Sequence, residues 1–142
     1  MPRFSFLATG WPTGLAALLL AAAPPAAAVA RAASVTTTNG NPTSGRQDFE
    51  DRCTSCHSIS QNRYGPRLGD VYGRRAGSVS GFQYSGALRQ KQFTWSEKSL
   101  DTWLSGPGQF LPGTRMNISI DDAQTRADII AYLRSHPPGQ DD

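Results

Sequence analysis

The residues with chemistry to offer are Cys53, Cys56 and His57, in the stretch CTSCH; the chain holds 2 cysteines and 2 histidines, and of these only His136 lies elsewhere. Several chemistries use two thiols at this spacing. A structural zinc site needs four Cys or His ligands. The whole supply here is Cys53, Cys56, His57 and His136, with His57 directly beside Cys56 and His136 flanked by prolines. A thioredoxin-type dithiol opens a helix after a strand in an α/β fold, and no alternating strand pattern occurs in this sequence. A plain disulfide remains open but gives His57 no role. Covalent c-type haem attachment uses all three: two thiols add to the porphyrin edge and the imidazole that follows reaches iron through Nε2.

The occupant of the opposite axial position separates electron transfer from ligand chemistry. If an N-terminal leader is removed, Met116 is the one methionine left, in the loop LPGTRM. His136 is the competing ligand. If Met116 leaves iron readily, an enzyme or gas-sensing reading opens instead.

The elements that must position these groups follow from the punctuation of the chain. Residues 1–32 read as a secretory signal peptide: Arg3, an apolar run from Leu15 to Ala23, then Pro24 and Pro25. That run covers about ten residues, half of the roughly twenty a spanning helix needs, so no stable membrane insertion is expected. Cleavage sites fit after Ala28-Val29-Ala30 or Ala30-Arg31-Ala32. Export to the periplasm also suits a thiol pair, which there meets an oxidant or a cofactor.

Residues 33–42 read as a flexible linker, 43–136 as the domain and 137–142 as a C-terminal tail. A first helix is capped by Asn41 with Pro42 at its first position and runs to about Cys53. Six glycines and Pro66 between Asn62 and Gly86 exclude long regular elements there. A brief helix is predicted over 86–91. Ser96 caps another, with Leu100, Trp103 and Leu104 on one face and Pro107 past its end. GPGQFLPGTRMNIS reads as irregular. The last helix starts near Asp121 or Asp122 and carries Arg126, Ile129, Ile130 and Leu133 on one stripe. The class is all-α, with three to five short helices and long loops, and so few apolar residues imply a staple or a cofactor as part of the core.

If Arg3 and Arg31 leave with the leader, 12 cations face 11 acids, yet 9 cations and 3 acids lie between Arg52 and Arg115. A basic centre suits an acidic protein partner and faster encounter. No nucleic-acid motif accompanies it.

The chain resembles the class I monohaem cytochromes c of the mitochondrial and bacterial c2 type. The likeness is carried by GRQDFEDRCTSCH, GPRLGDVYGRRAGSVSGFQYSGAL, FTWSEKSLDTWLSGPGQFLPGTRM and ADIIAYLRS. It implies one haem c wrapped by a small cytochrome c fold, bound by thioethers from Cys53 and Cys56, with His57 and Met116 on iron. Pro66 would accept a hydrogen bond from His57. Arg74, Tyr84 and Trp95 would lie near the haem propionates, and Gly45 and Phe49 would meet Tyr132 where the end helices cross. The function implied is that of a monomeric electron carrier, not an enzyme. Its donor and acceptor would be redox proteins, for example a quinol:cytochrome c oxidoreductase, a terminal oxidase or a dehydrogenase. Trp103 stands where the family has a tyrosine that reaches the ligand sulfur, so that hydrogen bond is expected to be missing. Ile118 replaces the aromatic at the haem edge, and Gly108-Gln109 replaces a lysine cluster, although Arg67, Arg75, Arg89, Lys91 and Arg115 keep the region basic.

Overall fold

The structure is a computed structural model and describes residues 39–136. The leader read over 1–32, most of the linker and the tail lie outside the described residues. Five helices follow in chain order: α1 (Pro42–Arg52), α2 (Gly86–Arg89), α3 (Glu97–Ser105), α4 (Pro107–Phe110) and α5 (Ala123–Arg134).

The starts are set by side-chain caps. Asn41 accepts from Thr43 and Ser44 ahead of Pro42, and Ser96 forms a reciprocal box with Ser99. Asp122 accepts from Thr125. Helix α1 hands directly into the cysteine stretch, because Cys53 is its C-cap and its carbonyl accepts from His57 N–H at 2.8 Å. The predicted helix over 86–91 is shorter, ending at Arg89. The segment after α3, read as irregular, contains the single turn α4, begun by Pro107 at its first position.

Helices α1 and α5 cross in contact because Gly45 has no side chain: a Cβ there would fall 1.9 Å from Asp128 O. Phe49 meets the Tyr132 ring at 5.3 Å between centroids, as expected. The buried Asp128 carboxylate fastens the crossing, accepting from Asn41 N–H at 2.7 Å and Gln124 Nε2 at 2.8 Å. The chain is therefore fixed to α5 before Pro42, within the stretch read as linker. Helix α3 is joined to α5 by Arg126 and Asp101 at 2.7 Å, and the core between them holds Leu100, Leu104, Ile129, Ile130 and Leu133.

No strand forms among the described residues, but the long loop is not loose. Gly73 N–H donates to Trp95 O and Trp95 N–H to Arg74 O, about an isolated antiparallel bridge between Arg75 and Thr94. Leu68 and Gly69 donate to Ser58 and Ile59 at 2.8 Å each. These bonds hold the loop against the segment that follows His57.

Candidate functional site

Cys53 and Cys56 lie on the turn closing α1, both half-buried and not bonded to each other. Burial pushes the Cys53 thiol up to about 11 despite the opposing Arg52 charge. His57 projects from the same turn, and its Nδ1 lies 2.7 Å from Pro66 O. Because a carbonyl only accepts, that nitrogen carries the proton and Nε2 presents a lone pair. Burial holds the His57 pKa below the ordinary imidazole range, against the smaller opposing effect of the Pro66 carbonyl. Gly65 supplies the room: a Cβ on it would lie 2.2 Å from His57 Cε1, and its N–H donates to Cys56 O at 2.7 Å.

Met116 sits on the loop after α4, half-buried against the core cluster that also packs on Cys53. Gly113, at φ 86°, turns the chain ahead of it, and Thr114 N–H donates to Leu111 O. Trp103 Nε1 donates to Met116 Sδ at 3.1 Å. This corrects the expectation that replacing a tyrosine removes the sulfur's hydrogen bond: indole N–H is a donor as a phenol is, and helix α3 aims it at the sulfur. The Trp103 ring lies edge-on to Trp95 at 5.3 Å, and both contact Phe110. Trp95 is thus joined to the Met116 side of the site.

Arg74 and Tyr84 occupy one neighbourhood. Tyr84 is buried, its hydroxyl accepts from Val79 N–H at 3.4 Å, and burial raises its pKa while Arg74 and Arg67 pull it down. Arg74 donates to Gly69 O, Asp70 Oδ1 and Arg67 O. His136 is engaged at the end of α5, with Nδ1 at 2.8 Å from Tyr132 O.

Two features lay outside the sequence reading. Thr114 Oγ1 is buried with no hydrogen-bond partner among the described residues, although its place two residues before Met116 offered a positional signal. Asp70 has φ 57°, a conformation no residue pattern announced. An orphaned hydroxyl two residues before a thioether, an imidazole with one nitrogen engaged and the other presented, and two cysteine sulfurs on the turn that carries it form a donor set that fits a haem with its carboxylates. No group of three or more His, Cys, Asp or Glu able to hold a bare metal ion occurs among the described residues.

A model of the Cytochrome c family matches residues 42–137. The chain belongs to the cytochrome c family. Cytochrome c of Nigella damascena is 34% identical over 99 residues, which cover 67% of this chain and 89% of that protein. Cytochrome c of Gibberella zeae is 36% identical over 99 residues, 67% of this chain and 93% of that one. Among solved structures, cytochrome cH from Methylobacterium extorquens superimposes with a TM-score of 0.65 at 37% identity, covering 68% of this chain and 99% of its own. Family membership gives this cytochrome c the all-α cytochrome c fold, one covalently attached haem c and an electron-transfer role rather than an enzymatic one. Redox partners follow from that role. No helix among the described residues is long and apolar enough to cross a membrane.

Proposed function

We propose that this cytochrome c is an exported, periplasmic single-electron carrier. In this reading Cys53 and Cys56 hold the haem as thioethers, and His57 and Met116 are its axial ligands. When bound, the haem supplies a one-electron iron couple whose potential the thioether ligand raises.

The observation that carries the reading is the His57 Nδ1 contact with Pro66 O at 2.7 Å. It fixes tautomer and ring orientation and raises the basicity of Nε2, as second partners of ligating histidines do. Gly65 keeps that ring seated, and the Trp103 indole on α3 orients the Met116 sulfur. Thr114 and Tyr84 offer hydroxyl donors, and Arg74 a cation, to the carboxylates of the group. Trp95 supports this wall through Trp103. Neither protein ligand has to move during electron transfer, which keeps reorganisation small. Arg75, Arg89, Lys91 and Arg115 are exposed and present positive charge to an acidic redox partner. A monomer suffices for this work.

Expression with haem-maturation machinery and periplasmic fractionation test the proposal. The expected product is a red periplasmic protein whose mass includes one haem, with the haem retained on the peptide containing Cys53 and Cys56. A colourless protein of unmodified mass, or a reduced protein that binds carbon monoxide at once, would contradict it.

A further inference from the structure

Asp70 is the one non-glycine residue with positive φ among the described residues, at 57°. An L-residue in that region carries strain, which persists where surrounding contacts determine it. Here they do. Arg67 Nη1 donates to Asp70 Oδ1 at 2.7 Å and Arg67 Nη2 to Oδ2 at 3.3 Å, while Arg74 Nη1 donates to Oδ1 at 2.5 Å. The Asp70 N–H is spent on His136 O at 2.8 Å, tying the turn to the end of α5.

The Asp70 and Arg74 side chains are only 13% and 11% exposed. Charges so far removed from water act on their surroundings with little screening. Arg74 places three N–H groups on Gly69 O, Asp70 and Arg67 O, so its head is clamped rather than free to swing. The charges of Arg74, Arg67 and Asp70 all reach the Tyr84 phenol. Two cations and one anion therefore stand together at the wall where Arg74 and Tyr84 meet the haem carboxylates in the proposed function, on which this inference rests.

We propose that Asp70 is a positioning and potential-setting residue: its carboxylate fixes the Arg67–Arg74 pair and offsets one of its two charges beside the haem, lowering the reduction potential. Reduction removes one positive charge from the iron centre, so a fixed anion nearby disfavours it and a bare cation pair would favour it.

The test is a redox titration of the holoprotein against Asp70→Asn, Asp70→Gly and Arg74→Gln, in low and high salt. Asparagine tolerates positive φ and keeps the side-chain shape; glycine adopts it without strain, so at least one of the two folds. Each should raise the ratio of reduced to oxidised protein at fixed ambient potential about threefold, ~28 mV for one electron. The rise should persist in high salt because the Asp70 and Arg74 side chains are largely removed from water. Arg74→Gln should move the ratio the opposite way. An unchanged or lowered potential in both Asp70 variants, with Arg74→Gln still shifting it, overturns this inference alone. If Arg74→Gln is silent as well, the placement of the haem carboxylates at Arg74 falls with it.

Discussion

Trp103 Nε1 donates a hydrogen bond of 3.1 Å to Met116 Sδ. A donor on the sulfur withdraws electron density from the proposed iron ligand, which favours the reduced state. Trp103→Phe keeps an aromatic ring on α3 and deletes the donor. One net hydrogen bond is worth about 1 kcal/mol, so the reduced-to-oxidised ratio at fixed potential should fall about threefold to fivefold. A redox titration of the variant checks this, with near-ultraviolet circular dichroism showing that the aromatic cluster still packs.

Gly65 is where His57 has least tolerance. An added Cβ would stand 2.2 Å from the ring, so Gly65→Ala must displace the imidazole or the loop. Overpacking of this kind costs about 1–3 kcal/mol. The variant should unfold at lower denaturant than the parent and show an altered visible spectrum, since the group displaced is the proposed iron ligand.

Asp128 fastens the chain entry to α5 through Asn41 N–H and Gln124 Nε2. Asp128→Ala leaves a partly buried backbone donor without its acceptor, a loss of about 1–3 kcal/mol. Equilibrium unfolding should show that loss while the visible spectrum of the folded protein stays unchanged.

Asp122 gives the pH dependence. Hydrogen bonds from Thr125 hold its carboxyl below the ordinary carboxylate range. The ionised cap therefore stabilises α5 fully above about pH 4, the unfolded value, and its contribution is lost as pH falls through the lower folded value. Asp122→Asn carries a neutral cap that does not titrate. The stability difference between the two proteins should be flat at neutral pH and shift against the parent only in that acidic window, as followed by urea unfolding at several pH values.

Much of this arrangement was legible in the residues. Asn41, Ser96 and Asp122 announced their helices because capping is a local hydrogen bond between near neighbours. CTSCH announced its chemistry because the spacing itself is the requirement. The single turn α4 was not legible, since Pro107 and Gly108 in sequence mark a break as readily as a start. In the residue pattern Trp103 shows only a missing hydroxyl; where its N–H points is set by the tertiary position of α3. The left-handed turn at Asp70 depends on Arg67 and Arg74 closing around it, and the buried hydroxyl of Thr114 depends on how the loop folds over the core. Arg67 and Arg74 lie only three and four residues from Asp70, but that spacing alone does not set its φ.

The most direct test of axial ligation by His57 and Met116 is the visible spectrum of the oxidised holoprotein beside that of Met116→Ala. The parent should show the sulfur-to-iron charge-transfer band at the red end of the visible range, and the variant should lose it and, once reduced, bind carbon monoxide rapidly. A band that survives in Met116→Ala, or one absent from the parent, would contradict that ligand set.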